Sequence, residues 1–343
     1  MSRLRNIWDE EPDAPEDEGD LWFLPPDDDP EPEASPLPRA ERVLLFPHAD
    51  WRAAEGVLAP DLAALAYDFG RLEERLRGAG EGARRRIALQ EVASLGWWTG
   101  DRLTGDRLAL WLSMQIGATG EDAQALARGA WAVRRLTGGP APIAPRRAEA
   151  LATLLGLTDA GPEPERIGDA CEVLDDLAPL HPVVQGCVLF HLWRLTDAGP
   201  ARDVEAAVLG ARLAGSMGGP GAFLPLTLAG FGGLAAQGDA ERRLSAWISG
   251  AHQAVLAALM HLDRLAVWQR RAADEVADLS GRTPPRLVRL LADWPSVSAP
   301  MAEAETGASR AAVQRNLDIL SARGLIRELT GQGRYRVWAA RLG

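Results

Sequence analysis

Hydrophobic residues recur at spacings of three and four along most of the chain after residue 60, which is the pattern of amphipathic helices. The first helical stripe consists of Leu62, Leu65, Phe69, Leu72 and Leu76. Asp61 is placed to cap this helix. Similar periods cover 83–98, 106–117, 121–136, 147–157, 165–178 and, longest, 239–279. Because no alternating strand pattern of convincing length precedes residue 325, the sequence predicts an all-helical domain over residues 41–280.

The pattern changes after residue 280. A short amphipathic helix carries Leu287, Leu290 and Leu291, and a second short helix covers 299–306. A third helix opens at Ser309, an N-cap residue, and closes at Gly324. Two strands follow, at 325–330 and 334–339, joined by Gly331-Gln332-Gly333. This order is typical of a winged helix-turn-helix, so the predicted fold class is all-α, a multi-helix bundle with a winged helix-turn-helix at 281–343 that carries a small β-hairpin.

The third helix of this domain has the residues expected of a DNA-reading surface. Its buried stripe is Val313, Leu317 and Leu320, and the opposite face is polar near the N-terminal end. Arginine can bond guanine and glutamine can bond adenine in the major groove, whereas wing arginines meet phosphate or the minor groove. The predicted DNA-contacting residues are Ser309, Arg310, Ala311, Gln314, Arg315, Gln332, Arg334 and Arg336. Residues 284–343 hold nine Arg against five acids, a net charge of +4. The alternative is a winged helix that binds protein, with solvated arginines.

Acidic residues are concentrated near the N-terminus. The net charge of the chain is −11, and residues 9–33 contain thirteen Asp or Glu and no basic residue. The same stretch, continued to residue 38, has eight prolines, so residues 1–40 are predicted to be a disordered acidic tail. Its one apolar island, Leu21-Trp22-Phe23-Leu24, either packs loosely on the body or docks on a partner. The tail is also a candidate for an intramolecular contact with the basic wing.

The composition excludes several enzyme classes. All 37 basic residues among the 343 are Arg, which excludes a Walker A lysine, a pyridoxal Schiff base and a lysine nucleophile. Such a composition suggests a GC-rich bacterial genome. No apolar run approaches the ~20 residues that span a bilayer, and the N-terminus lacks a signal core, so a cytoplasmic location is predicted. Cys171 and Cys187 are too few for a disulfide framework.

One segment of the body resembles a catalytic motif. Residues 180–187 read LHPVVQGC, and His181, Pro182 and Gly186 match the Fic-domain signature HPFx(D/E)GNGRxxR. The resemblance implies a Fic-like helical body, transfer of AMP from ATP to protein hydroxyls, and His181 as the general base. Gln185 and Cys187 depart from the signature, and residues 167–193 have no Lys or Arg to bind the triphosphate. We therefore expect no enzymatic activity and treat His181 as a relic of the motif.

Two further features are similar to known families. Residues 86–94, RIALQEVAS, look like the inhibitory helix of many Fic proteins without its inhibitory Glu. A long helix followed by a winged helix and TGQGRYRVW resembles the tail of bacterial Fic proteins. The whole layout resembles more closely a family of plasmid-borne proteins of rhizobia, in which a helical domain of unknown function precedes a helix-turn-helix. These resemblances cover residues 60–343.

Other candidate sites favour ordinary structural roles. Cys187 and His191 share a helix face, but with His181 and Cys171 they lack metal-ligand spacing, so no metal and no cofactor are predicted. His252 and His261 are expected to be packing or surface residues, and the glycine-rich segment 215–221 is expected to be a loop. Trp97, Trp98, Trp111, Trp131 and Trp193 are expected in the core, or around a pocket for an apolar or aromatic ligand.

Two classes of function remain, with a weaker third. In the first the chain is a transcriptional regulator that binds double-stranded DNA, and its helical body dimerises or senses a ligand. The helix predicted at 239–279 is then a candidate surface for a homodimer. In the second the chain is a Fic-type AMP-transferase or its inactive descendant, with the winged helix choosing the target. The third is an adaptor whose apolar island and winged helix both bind proteins.

Overall fold

The computed structural model of the protein describes residues 46–114, 122–157, 163–195, 199–330 and 336–342. Residues 42–343 form one compact unit. The predicted acidic tail and its apolar island lie outside the described residues, and the domain boundaries near 40 and 280 stay a prediction. Within the described part of the chain, no helix is both long enough and apolar enough to cross a membrane.

The described residues form fourteen α-helices and three short strands, which confirms the all-α class. The helices are α1 (His48–Val57), α2 (Ala59–Ala79), α3 (Glu81–Thr99), α4 (Gly105–Met114), α5 (Ala123–Thr137), α6 (Arg147–Leu155), α7 (Glu163–Asp176), α8 (Pro182–Arg194), α9 (Pro200–Gly215), α10 (Gly232–Ala235), α11 (Ala240–Glu275), α12 (Thr283–Asp293), α13 (Ala299–Thr306) and α14 (Arg310–Ala322). The strands are β1 (Val297–Ser298), β2 (Ile326–Glu328) and β3 (Val337–Ala340). They form an antiparallel sheet in the order β1-β3-β2.

Two details of the helical body differ from the sequence predictions. Asp61 does not cap α2, because the helix already begins at Ala59. Pro60 lies in its first turn, where backbone N–H groups have no acceptor within the helix, so the missing N–H of proline costs no hydrogen bond. Trp97 is not a core residue: its side chain is exposed on α3, whereas the neighbouring Trp98 packs towards Phe190, with ring centroids 6.1 Å apart. Trp193 is buried as expected, and Trp111 and Trp131 are partly buried.

The centre of the helical body is the antiparallel pair α8 and α9. Every residue of α8 from Val183 to Trp193 is buried, so its apolar residues are spread over all faces of the helix rather than along one stripe. The two helices approach most closely at Gly186 and Gly210. A Cβ added to Gly186 would lie 2.6 Å from the carbonyl oxygen of Gly210, so this crossing requires glycine.

A buried carboxyl group holds the segment that follows α9. Glu91 of α3 accepts backbone N–H bonds from Leu226 at 2.8 Å and from Thr227 at 2.9 Å. The hydroxyl of Thr227 in turn donates to the backbone oxygen of Glu91, at 3.0 Å. Burial raises the pKa of Glu91 to about 7, against the lowering effect of these hydrogen bonds.

Helix α11 belongs to two hydrophobic cores. Its first two thirds, from Leu244 to Leu262, pack with the helical body. Its last third contributes Leu265, Trp268 and Ala272 to a second core formed by the C-terminal helices and strands, and Val276, just after the helix, joins this core. The indole N–H of Trp268 donates to the backbone oxygen of Leu325 at 2.7 Å. The same helix therefore packs in both cores and connects the helical body to the C-terminal region.

Candidate nucleic-acid interface

Three helices and a small sheet form the C-terminal region as the sequence predicts. Ser298 caps α13, accepting from the backbone N–H of Met301, and Gly307 ends the helix in the left-handed conformation at φ 67°. The hydroxyl of Thr306 stabilises the turn, since it accepts from the N–H of Ala308. Ser309 caps α14 by accepting from the N–H of Ala312 at 3.4 Å. These local bonds fix the angle at which α14 leaves the turn.

The strands differ in extent from their prediction. The first covers Ile326–Glu328 rather than 325–330, and the second is described from Val337 to Ala340. The sequence also missed β1, because two residues are too few to show an alternating pattern. Val297 lies opposite Trp338 in β3, and Glu328 lies opposite the same residue on the other side. Trp338 thereby occupies the centre of a three-stranded sheet.

The outer face of α14 is free to meet a partner. Val313, Leu317 and Leu320 are buried against the C-terminal core, as predicted. Ser309, Arg310, Ala311 and Arg315 are exposed on the other side. Within the described residues, Arg310 and Arg315 make no hydrogen bond and no ion pair. Two guanidinium groups near the N-terminal end of α14 are therefore available to external acceptors.

Two other predicted contact residues are already engaged. The amide of Gln314 donates to Asp318 Oδ1 at 2.9 Å, one turn further along α14. Arg336 donates through Nε to Glu328 Oε2 at 2.7 Å, and its Nη1 lies 3.7 Å from Asp318 Oδ1. Its guanidinium also stacks on the ring of Trp338. The charge of Arg336 is thus largely compensated by two carboxylates. Gln332 and Arg334, the other predicted wing contacts, lie outside the described residues.

Two arginines of α3 attach this region to the body, a contact that was not predicted from the sequence. Arg86 of α3 is buried, and its guanidinium donates to the backbone oxygens of Leu291, Ala292 and Trp294 at 2.7, 3.0 and 2.8 Å. Its neighbour Arg85 stacks on the Trp294 ring with the guanidinium carbon 4.5 Å from the ring centroid. Burial lowers the pKa of Arg86 to about 10, so the group stays charged at neutral pH. The end of α12 is therefore capped by a cation from the helical body.

The segment that resembles the Fic motif has a structural role in this fold. His181 is the N-cap of α8, because its Nδ1 accepts from the backbone N–H of Val183 at 3.2 Å. The backbone N–H of His181 donates to the carboxylate of Glu55. Gln185 donates to the backbone oxygen of Leu180 at 2.7 Å. Gly186 and Cys187 lie inside the buried helix, so residues 182–194 form no loop that could cradle phosphate. Burial lowers the pKa of His181.

The remaining candidates occupy ordinary positions. Cys187 is buried, and among the described residues no group of three or more His, Cys, Asp or Glu side chains is placed to hold a metal ion. His252 bonds Asp68 at 2.9 Å, and His261 lies 3.2 Å from the amide of Gln90. The segment 215–221 contains a short 3-10 helix, Ser216–Gly218, followed by a loop. The prediction that the chain has no metal site stays a prediction.

Comparison with known proteins supports the C-terminal assignment. A family model described as HTH DNA binding domain matches residues 284–340, which are 57 of the 343 residues. The match covers α12, α13, α14 and the sheet, and it confirms the predicted helix-turn-helix. No curated protein matches the chain. The similarity to Fic proteins and to the plasmid-borne rhizobial family stays a prediction.

Proposed function

We propose that the chain is a sequence-specific transcriptional regulator that inserts α14 into the major groove of double-stranded DNA. The observation that carries this proposal is the pair Arg310 and Arg315, which are exposed and unengaged on a helix inside the matched DNA-binding domain. Arginine at such positions bonds O6 and N7 of guanine. Gln314 can bond adenine only after its hydrogen bond to Asp318 breaks, so we assign it a smaller role than the two arginines in base recognition.

The helical body supplies dimerisation or sensing in this proposal. Met260 and Val267, both on α11, are exposed and apolar, which favours this helix as the contact between two copies of the chain. A symmetric dimer would present two copies of α14, and its half-sites would lie about one helical turn of DNA, ~10 base pairs, or a multiple apart.

The acidic segment at residues 9–33 has a regulatory part in the same proposal. Its thirteen carboxylates are opposite in sign to the net charge of residues 284–343, which is +4. The segment competes with DNA phosphates for the basic surface and so lowers non-specific affinity. Deletion of residues 1–38 should tighten DNA binding at low salt, and an unchanged affinity would refute this part of the proposal.

We further propose that His181 is not catalytic. Its ring nitrogen is used in capping α8, and its pKa is lowered by burial. Incubation of the full chain with labelled ATP and Mg²⁺ should leave the protein and candidate targets unlabelled. Labelling that disappears in His181→Ala would restore the alternative of a Fic-type transferase, with the winged helix as its targeting module.

The central test is DNA selection followed by titration across a salt series. The wild type should enrich a subset of sequences and lose affinity with rising salt. The double variant Arg310→Ala/Arg315→Ala should lose this selectivity. The matched control Arg52→Ala/Arg134→Ala removes two exposed arginines from the helical body and should keep it. If neither wild type nor the tail-deleted chain binds DNA at low salt, the C-terminal domain is a protein-binding module instead.

A further inference from the structure

A small cleft lies in the helical body, where the C-terminal end of α8 meets the N-terminal end of α11. It encloses about 250 Å³. The side chains that matter are His191 and Arg194 of α8, Asp203 of α9, Arg243 of α11, and the apolar Leu195 and Ala236. Since a water molecule in the liquid takes ~30 Å³, the cleft has room for a molecule of several heavy atoms.

The charges around this cleft do not balance. Arg194 donates to Asp203 at 2.5 Å, so these two groups compensate each other. Arg243 has no ion pair in the described part of the chain, and its Nε is buried without a hydrogen-bond partner. One positive charge therefore remains unpaired at the wall of the cleft.

His191 adds an unsatisfied polar atom at the same place. Its side chain is only 8% exposed, and its Nε2 is buried with no partner. Burial, together with the positive charges of the nearby Arg243 and Arg194, lowers the pKa of His191 to about 3. The imidazole is thus neutral, and in the tautomer with hydrogen on Nε2 it donates one hydrogen bond.

We infer that this cleft binds a small organic carboxylate. The carboxylate oxygens accept hydrogen bonds from the guanidinium of Arg243 and from Nε2 of His191, the two side chains here that have a buried nitrogen atom without a partner. Leaving such groups unpaired costs free energy, so a ligand that bonds both is favoured.

Two features favour a carboxylate with an apolar body over phosphate. The single unpaired cation matches one negative charge rather than two. Leu195 and Ala236 offer an apolar wall, and the guanidinium of Arg194 is held over the rings of Phe190 and Trp98 at 5.1 and 5.2 Å, so it is not free to turn towards a second oxyanion. The inference rests on the helical body and does not depend on the DNA-binding proposal.

The test is calorimetric titration of the full-length protein with sodium butyrate and, separately, with inorganic phosphate at constant ionic strength. Butyrate should bind the wild type, and Arg243→Gln should weaken this binding about tenfold or more. The control Arg242→Gln alters the adjacent exposed arginine, which does not line the cleft, and should bind butyrate as the wild type does. In NMR spectra of the imidazole groups, butyrate should shift the His191 signals.

Three results would overturn the inference. They are no butyrate binding by the wild type at millimolar concentration, equal binding by Arg243→Gln, and phosphate binding as tight as butyrate binding, since the apolar wall would then contribute nothing. His191→Phe keeps a ring of similar shape without the nitrogen, so it provides a second variant. It should also weaken butyrate binding, and unchanged binding would remove His191 from the site.

Discussion

Arg86 Nη2 in α3 lies 2.8 Å from the carbonyl oxygen of Trp294, 208 residues further along the chain. The same guanidinium bonds the oxygens of Leu291 and Ala292, so one side chain of the helical body satisfies three carbonyls at the end of α12. These carbonyls have no partner within their own helix. The C-terminal region therefore depends on the body for a complete hydrogen-bond set.

Substitution of Arg86 should loosen the C-terminal region. In Arg86→Met the three carbonyl oxygens lose their donor, and we expect a loss of about 3 kcal/mol or more in the free energy of unfolding. Urea unfolding measures the loss, and hydrogen exchange should place it mainly in residues 283–340. Arg85→Met is the matched control, because it removes a stacking contact, worth about 0.5–1 kcal/mol, and no hydrogen bond to these carbonyls. Equal losses in the two variants would contradict the capping role.

The contact between α8 and α9 should not tolerate a methyl group. A Cβ on Gly186 would meet the Gly210 oxygen at 2.6 Å and the Ala214 side chain at 2.8 Å, so Gly186→Ala forces the helices apart. We expect destabilisation of about 2 kcal/mol, measured by urea unfolding. Gly168→Ala in α7 is the control, since a Cβ there has nothing within 4 Å and alanine is the better helix former. A Gly186→Ala variant as stable as the wild type would show that the crossing is adjustable.

Glu91 should make stability fall as pH rises towards neutrality. Its pKa is about 7 in the folded protein, above the ordinary glutamate value of 4.5. A raised folded-state pKa means that the folded protein binds more protons than the unfolded chain between these values. The contribution of Glu91 is therefore fully present below about pH 4.5 and is lost as pH rises through about 7, at about 1.4 kcal/mol per pH unit.

The variant Glu91→Gln tests this dependence. Glutamine keeps an acceptor for the N–H groups of Leu226 and Thr227 but cannot ionise. The free energy of unfolding, measured in urea at several values between pH 4.5 and 8, should decrease more steeply for the wild type than for the variant. Parallel curves would mean that Glu91 titrates normally.

Asp318 should weaken DNA binding. It is an exposed carboxylate on α14, and it engages both Gln314 and Arg336. Asp318→Asn removes a negative charge that faces DNA phosphates in the proposed complex, and we expect affinity for DNA of any sequence to increase about fivefold at low salt. Glu241→Gln, an exposed acid at the start of α11, is the control and should leave affinity unchanged. An affinity that does not change in Asp318→Asn would place α14 away from the phosphates.

The C-terminal domain was predictable because its signals are local. Ser309, the stripe at Val313, Leu317 and Leu320, and the glycines at 307 and 324 act on neighbouring residues, and the structure places them as expected. The bond between Gln314 and Asp318 is also local and follows from the i, i+4 spacing on a helix. It changes which residues of the predicted surface are free.

The attachment of the domain and the cleft around His191 were not predictable in this way. Arg86 reaches residues more than 200 positions away, and Arg243 meets His191 only because α8 and α11 converge. A hydrophobic period reports which face of a helix is buried but not against which partner. The same limit explains Trp97, where the period identified a helix and the packing left this tryptophan outside.

Because α11 runs without a break through both cores, the number of its residues determines how the C-terminal region is oriented relative to the helical body. The helix has 36 residues, and at 1.5 Å per residue it is about 54 Å long. Each residue inserted or removed between Leu262 and Leu265 would turn everything downstream by about 100° and shift it by about 1.5 Å. The direction in which α14 faces is thus set by helical phase, and natural variation in this helix should be confined to substitutions rather than insertions.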